Sequence, residues 1–231
     1  MAILTRSIVA SLVLAPAMSL QAQVLTFEGI NDWTGVFQVP IGNFYNGGGG
    51  PDYGIEFSEN SLALCLNTAT RSCSNTSRGE TGNPASRNSA MYFQTGPSAF
   101  MNRETGFTTG FSFFYAAPFT GTASFNVWSD LDGTGTLLAS LILPQTPESS
   151  PPPCYGADYC TFFPAGVSFD GTARSVTFTG TDRVVFDDIT FGSATPGVDP
   201  SVVPEPATVA LLGSGLAVLF GVGYTRRRRE A

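Results

Sequence analysis

Residues 124–143 read SFNVWSDLDGTGTLLASLIL, and this stretch favours a β-hairpin. Polar and apolar side chains alternate from Ser124 to Trp128, which is typical of a strand with one face against a core. Asp132, Gly133 and Gly135 then supply turn residues, and the apolar run 136–143 follows. The stretch therefore predicts two antiparallel strands joined by a turn over 129–135.

Short strand-like stretches recur on both sides of this hairpin, separated by Gly, Pro, Asn and Asp. They cover residues 24–27, 54–58, 61–66, 90–94, 110–116, 122–128, 136–143, 175–179 and 183–191. No helical periodicity interrupts them between residues 23 and 197. We therefore predict an all-β fold, an antiparallel β-sandwich of jelly-roll type.

The composition agrees with such a fold and excludes several kinds of active site. The chain of 231 residues is 42% hydrophobic and 13% charged, and it holds 26 Gly, 16 Pro and 19 Phe. It has no His and no Lys, since all 11 basic residues are Arg. A Ser-His-Asp triad, Schiff-base chemistry, a P-loop and His-ligated zinc are thereby excluded. Catalysis by carboxylates alone, as in glycosidases, is not excluded by the composition.

The first 22 residues have the organisation of a secretory signal peptide. Arg6 precedes an apolar run over residues 8–14, and small residues follow up to Ala22. We predict cleavage after Ala22, with Ser19 as the alternative. A short N-terminal membrane helix is the other interpretation, but the apolar run is too short to span a bilayer.

The last residues predict a single membrane span. Residues 207–225 are uncharged, and as a helix the 18 residues from 207 to 224 extend about 27 Å, close to the roughly 30 Å of a hydrocarbon core. The tail 226–231 begins with four basic residues that hold this end in the cytoplasm: Arg226, Arg227, Arg228 and Arg229. The ectodomain is thus predicted over 23–197, with a linker over 198–206.

The linker ends in Pro204-Glu205-Pro206. Both prolines fix φ and keep the chain extended before the helix begins. This motif, the Gly-interrupted span and the terminal Arg cluster together resemble the PEP-CTERM sorting signal, which is also catalogued as an ice-binding-protein C-terminal domain. The resemblance implies processing by exosortase, a membrane transpeptidase of Gram-negative bacteria that make extracellular polysaccharide.

The resemblance extends into the ectodomain. Leu25-Thr26-Phe27-Glu28-Gly29 near its start and the closing stretch 185–192, VFDDITFG, are similar to segments of PEP-CTERM ectodomains. Such ectodomains are similar to galactose-binding-like jelly rolls and carbohydrate-binding modules. The resemblance implies a binding or structural role rather than catalysis.

Four cysteines fall in two close pairs, Cys65 with Cys73 and Cys154 with Cys160. An even count in an exported chain favours disulfides, and the local pairing needs the least chain closure among three possible pairings. Seven and five intervening residues are wider than zinc ligand pairs normally show.

Two groups of carboxylates are candidate calcium sites. Asp130-Leu131-Asp132-Gly133 resembles the start of a calcium loop, but the downstream Glu of an EF-hand is missing, so we favour a plain turn. The second group is Glu28, Asp187 and Asp188, which pairing of the first and last strands would bring together. Asp187 shares strand parity with Val185, Ile189 and Phe191, and a carboxylate on an apolar face needs a partner or a cation. Structural calcium is one interpretation, and an Asp hydrogen-bonded to backbone at a bulge is the other.

Aromatic side chains in loops are candidates for stacking on sugar rings, although capping the core is their commoner role. They are Trp33, Phe37, Phe44, Tyr45, Tyr155, Tyr159 and Phe162.

These features predict an exported, non-catalytic surface or matrix protein that binds extracellular polysaccharide or has a structural role, and that lies transiently in the inner membrane. Residues 23–203 carry 16 acidic residues and 6 Arg, a net charge of −10, which disfavours nucleic acid and anionic membranes as partners. The alternative is a carboxylate-only polysaccharide hydrolase or lyase, with Glu28, Glu56, Glu59 and Asp187 as its candidate residues.

Overall fold

The computed structural model describes residues 23–33, 36–66, 82, 85–86, 88–118, 123–148, 159, 161–180 and 184–197. The predicted signal peptide, PEP motif, span and Arg tail lie outside these residues. Within them, the structure contains no helix with the length and hydropathy to cross a membrane.

The described residues form ten strands, all paired antiparallel, which confirms the all-β prediction. The strands are β1 (Val24–Leu25), β2 (Gln38–Pro40), β3 (Ile55–Phe57), β4 (Ser61–Cys65), β5 (Ser89–Phe93), β6 (Ser98–Ala116), β7 (Ala123–Trp128), β8 (Leu137–Leu143), β9 (Phe163–Thr179) and β10 (Val185–Phe191). The predicted hairpin is β7 with β8, in a register that places Phe125 opposite Leu141.

One continuous sheet folds back on itself because β6 and β9 are long enough to cross from one layer to the other. Phe113 pairs with Ala165, whereas Phe178 pairs with Ala99, 14 residues earlier on β6. Along a straight strand those positions would lie about 46 Å apart. The rings of Phe113 and Phe178 are nevertheless 6.0 Å apart. The two halves of the β6–β9 ribbon therefore face each other as two layers of a sandwich.

The first layer contains β3, β7 and β8 beside the 98–103 part of β6 and the 175–179 part of β9. The second contains β1, β2, β4, β5 and β10 beside the remaining parts of β6 and β9. Phenylalanines fill the space between the layers, with edge-on contacts such as Phe113 to Phe125 at 4.9 Å.

Backbone irregularities bend the ribbon. The β6–β9 register shifts twice between Asn102 and Thr109, and both Gly106 and Thr109 have φ of +72°. Bulges of this kind increase local twist and let a strand turn a corner. Gly106 fits because an added Cβ would lie 2.4 Å from Thr172 and 2.9 Å from a backbone oxygen.

Candidate functional site

The first and last strands pair as predicted and bring the carboxylates of Glu28 and Asp187 to one place. β1 pairs with β10, with Leu25 opposite Ile189. Ser86 lies between the two acids, since its hydroxyl is 2.9 Å from Asp187 Oδ2 and 3.4 Å from Glu28 Oε1. We call Glu28, Asp187 and Asp188 the acidic cluster.

Backbone N–H groups of the segment before β5 donate to the acidic cluster. Ser86 N–H donates to Asp187 Oδ2 at 2.6 Å. Asn88 and Ser89 N–H both donate to Glu28 Oε1, at 2.7 and 2.8 Å. The cluster therefore fastens three distant parts of the chain to one another, namely the end of β1, the entry to β5 and β10.

Burial dominates the electrostatics of the acidic cluster. Asp187 is 0% exposed, and burial, together with the neighbouring Asp188 charge, raises its pKa well above the usual range. Burial and the charge of Glu28 raise the pKa of Asp188 to about 6. Asp187 Oδ1 is buried, and within the part of the chain that the structure describes it has no hydrogen-bond partner.

The predicted strand parity of Asp187 holds for Val185 but was wrong for Ile189 and Phe191. The β10–β6 register shifts between Asp187 and Thr190, and Asp188 has a φ of +48°. The inter-layer core accordingly takes Phe186 before the bulge and Ile189 after it, rather than every second residue. Asp188 suits this position because Asp tolerates positive φ better than most residues.

The acidic cluster was also the predicted calcium site. Its observed bonds are those of the second interpretation, an Asp at a bulge bonded to backbone, because Glu28 Oε1 and Asp187 Oδ2 accept from N–H groups. Among the residues described here, no three acidic or Cys side chains are arranged so that they could hold a metal ion. As placed, these side chains are therefore bonded to backbone rather than arranged around an ion, and the calcium interpretation stays untested.

The carboxylates of the hairpin turn have structural roles. Asn102 Nδ2 donates to Asp132 Oδ1 at 2.6 Å, and Asp132 N–H donates back to Asn102 Oδ1 at 2.9 Å. Asp132 and Gly133 both have positive φ, at +57° and +68°. Gly133 N–H also donates to Ser175 Oγ. These bonds fold the turn back towards β6 and β9 and are the geometry of a turn rather than a calcium loop.

The surface of the first layer that faces away from the core is a second candidate site, which sequence reasoning did not single out. Ala99, Met101, Phe125, Val127, Val176 and Phe178 point into the core, so the alternate residues point out. Strand register arranges those residues in rows across β6, β9, β7 and β8: Ser98–Thr179–Ser124–Ile142, Phe100–Thr177–Asn126–Ser140 and Asn102–Ser175–Trp128–Leu137. We call these rows the outer face. Ser175 is nevertheless fully buried, because the hairpin turn covers it and its hydroxyl donates to Asp130 O and accepts from Gly133 N–H.

The rows of the outer face combine hydroxyl and amide groups with aromatic rings, and the hairpin turn brings the Asp132 carboxylate against Asn102 at one end of them. Trp128 and Phe100 are partly exposed on it, on either side of Thr177. Trp128 Nε1–H donates to Thr177 Oγ1 at 3.0 Å, which fixes the indole against β9. Asn126 lies opposite Thr177 and has both a donor and an acceptor to offer. Its rows contain no charged residue, although the ectodomain is strongly acidic.

A small cleft of about 170 Å³ borders the outer face where Glu56 pairs with Asn102. It is smaller than the roughly 300–1,000 Å³ of drug-sized sites, so it suits one small polar group. Its lining is polar and contains two carboxylates: Asn46, Gly54, Glu56, Asn102, Glu104 and Thr105.

The predicted catalytic suspects are not all brought together. Glu28 and Asp187 lie in the acidic cluster, Glu56 lies in the cleft and Glu59 lies in the turn between β3 and β4. Glu104, which sequence reasoning missed, is the carboxylate that shares the cleft with Glu56.

Most of the loop aromatics cap the core, the commoner role in our sequence interpretation. Tyr45, Tyr159 and Phe162 are buried, and Trp33 and Phe44 pack against the core. Tyr45 has a further task, because its hydroxyl accepts a hydrogen bond from Phe27 N–H at 2.7 Å. Phe37 is 59% exposed. Tyr155 lies outside the described residues, as do Cys73, Cys154 and Cys160.

Comparison with known protein families finds a sorting motif at the C-terminus. Residues 202–229 match the PEP-CTERM protein-sorting motif, so this chain carries that motif at its C-terminal end. The motif implies export to the cell surface and processing by exosortase. Comparison of the sequence with curated proteins found no significant match.

The fold is similar to several solved structures at low sequence identity. A family 6 carbohydrate-binding module is 19% identical, covering 47% of this chain and 77% of its own, with a TM-score of 0.32. The K2 cleaved adhesin domain of Lys-gingipain is 14% identical, covering 74% and 98%, with a TM-score of 0.41. The K1 adhesin domain from Porphyromonas gingivalis W83 is 10% identical, covering 74% and 98%, with a TM-score of 0.39. At TM-scores below 0.5, nothing about a ligand of this chain follows from them.

Proposed function

We propose that this exosortase-sorted protein is a non-catalytic binder of neutral glycans at the surface of a Gram-negative bacterium, with the outer face as its binding surface. The observation that carries the proposal is the neutral set of hydroxyl, amide and aromatic side chains around Thr177. Phe100 pairs with that residue in register, and Trp128, which pairs with Ser175, donates its indole N–H to it. Aromatic faces pack against the C–H groups of sugar rings, and hydroxyl and amide groups match their hydroxyls.

The net charge of the ectodomain favours neutral over acidic polysaccharides as ligands. The ectodomain has a net charge of −10 by sequence, so an acidic polysaccharide would be repelled at long range. The rows of the outer face contain no charged residue, so a glycan bound away from the Asp132 carboxylate at the Asn102 end would not have to desolvate an ion. A neutral chain such as a glucan or galactan satisfies both conditions.

The experiment is binding of the exported, processed protein to a panel of neutral and acidic polysaccharides, with and without calcium. We expect affinity for at least one neutral glycan, reduced about tenfold or more by Trp128→Ala and by Asn126→Ala, since stacking and polar contacts each contribute on the order of 1 kcal/mol. Phe37→Ala is the matched control, because Phe37 is an exposed ring on the strand-β2 side of the second layer.

If Phe37→Ala loses glycan binding and Trp128→Ala retains it, the binding site lies away from the outer face. Absence of binding to every polysaccharide would leave the structural matrix role and reject glycan recognition. Equal melting temperatures of the variants, measured in parallel, ensure that lost binding is not lost folding.

A second candidate function is polysaccharide hydrolysis, and the shared cleft of Glu56 and Glu104 is the observation that favours it. Paired carboxylates are the usual catalytic groups of glycosidases. The same panel tests it through release of new reducing ends. Hydrolysis that disappears in both Glu56→Gln and Glu104→Gln would replace the non-catalytic proposal.

A further inference from the structure

Strand β8 is an apolar edge of the first layer. In the described part of the chain it pairs with β7 alone. No charged residue occurs between Asp132 and Glu148, so the strand lacks the charges that usually protect an exposed edge. Two of its side chains are unusually exposed for apolar residues, with Ile142 at 71% and Leu137 at 48%.

The sequence of β8 is complementary to itself when reversed. In an antiparallel pair centred on Ser140, Ala139 meets Leu141 and Leu138 meets Ile142. The bulge opposite Trp128 places Leu137 on the outer face while Leu143 lies in the core, so the apolar match covers residues 138–142. Over these residues apolar side chains meet apolar side chains, as a two-fold interface between identical surfaces requires. The lack of charge matters as well, because two copies of an acidic protein repel each other least where neither carries charge.

We propose that β8 is a homodimerisation edge, and that two copies pair through it antiparallel about Ser140 to form one sheet across two molecules. The partner is a second copy of this chain, because a strand that is complementary to itself favours an identical strand over that of an unrelated protein. The proposal does not depend on glycan binding.

The geometry of the pair has a consequence for the outer face. The two-fold axis of an antiparallel pair within one sheet runs perpendicular to that sheet, so both copies present the outer face on the same side. Two equal surfaces joined in this way would engage a repetitive polymer together, with a gain from effective concentration rather than from new contacts.

A cysteine at the symmetry centre tests the proposal in the full chain, exported in its own host. Two Ser140 Cα atoms in such a pair lie about 4.5–5.5 Å apart, within the separation that a disulfide spans. Ser140→Cys should therefore yield a covalent dimer of twice the monomer mass on a non-reducing gel, with a peptide linked 140 to 140 by mass spectrometry.

Asn126→Cys is the matched control, since Asn126 lies on the same face, directly opposite Ser140 on β7. Its two copies would be about 14 Å apart, beyond disulfide reach. Adding Ile142→Asp to Ser140→Cys should reduce the dimer fraction about fivefold or more, whereas adding Ser124→Asp, on the neighbouring inner strand, should not.

Three outcomes would overturn the proposal. They are a folded Ser140→Cys protein that stays monomeric under oxidation, equal cross-linking of Asn126→Cys, and a cross-linked product whose second component is another protein or another part of the same chain. A monomer that still binds glycan would leave the proposed function intact while rejecting the dimer.

Discussion

Ser86 and Asp187, 101 residues apart, are joined by two hydrogen bonds to a single carboxylate oxygen, from the Ser86 N–H at 2.6 Å and from its hydroxyl at 2.9 Å. The pair connects a loop residue to the final strand in a place where Asp187 is fully buried. A buried carboxyl group is costly unless it is bonded, and a buried N–H is costly if its acceptor is removed.

The first prediction concerns the stability of this pair. Asp187→Ala removes the acceptor of both Ser86 bonds, so we expect the free energy of unfolding to fall by about 1–3 kcal/mol. Asp187→Asn retains a carbonyl acceptor and carries no charge, and it should be at least as stable as the wild type at pH 7. Urea unfolding measures both variants, and Asp170→Ala is the control because Asp170 is exposed. An alanine variant as stable as the wild type would show that the bonds contribute nothing net.

The second prediction is that stability decreases as pH rises from about 4 to about 7. Burial and Glu28 raise the folded-state pKa of Asp188 to about 6, and the pKa of Asp187 is also raised. An Asp in the unfolded chain titrates near 3.9, so in this window the folded state binds more protons and stability falls with rising pH. Urea midpoints at pH 5 and pH 7 measure the effect.

Asp188→Asn should make those two midpoints more nearly equal, because Asn cannot ionise and also tolerates the positive φ at this position. Asp170→Asn should leave the difference unchanged. Wild-type stability that rises from pH 5 to pH 7 would contradict the raised pKa values.

The third prediction decides between the two interpretations of the acidic cluster. With N–H groups bonded to Glu28 and Asp187, we expect calcium and a chelator to give the same melting temperature. An ion bound only to the folded state at a hundredfold excess over Kd would instead add about 2.7 kcal/mol, or roughly 5–10 °C. A shift of that size that Asp187→Ala abolishes and Asp132→Ala preserves would establish the calcium site and show that the observed bonding is incomplete.

Local patterns located nine of the ten strands in the described residues, missing β2, and they did not find the full length of the two strands that shape the fold. Only 110–116 of β6 and 175–179 of β9 were predicted, because Gly106 and Gly171 look like turn residues in the sequence. Both have positive φ inside continuous strands. Since turns and bulges use the same residue types for the same dihedral reason, sequence alone does not distinguish a strand that ends from a strand that bends.

The site was predictable to the extent that it depends on strand pairing. Pairing of the terminal strands placed Glu28 near Asp187, but Ser86 and Asn88 come from a segment without periodicity and were missed. The outer face had an available signal, because the alternation that assigns Phe125 and Val127 to the core also assigns Ser124, Asn126 and Trp128 to the opposite surface. The order of the strands in the sheet, which brings these side chains into rows, could be known only from the fold.

The fourth prediction is the cysteine pairing. Cys65 is 1% exposed at the end of β4, and no cysteine in the described residues is free. Mass spectrometry of digested, non-reduced protein should find Cys65 linked to Cys73 and Cys154 linked to Cys160, each bridge stabilising the fold by about 2–3 kcal/mol. The buried position of Cys65 also predicts that its bridge resists reduction until the protein unfolds. Cross-pairing of the two groups would show that loop closure does not decide the pairing.

The fifth prediction concerns sorting by the C-terminal motif at residues 202–229. Pro204, Glu205 and Pro206 lie directly before the predicted span, where a membrane-bound transpeptidase would meet an extended chain with one fixed charge. Replacing the three by alanine should leave uncleaved, full-mass protein in the inner membrane of an exosortase-positive host, measured by fractionation and mass spectrometry. Alanine at Val202 and Val203 is a control that keeps the Pro-Glu-Pro unit. Replacing Arg226–Arg229 should instead weaken retention of the tail in the cytoplasm, because those charges oppose its translocation. Equal surface delivery of the alanine variant and the wild type would mean that the motif does not direct processing of this protein.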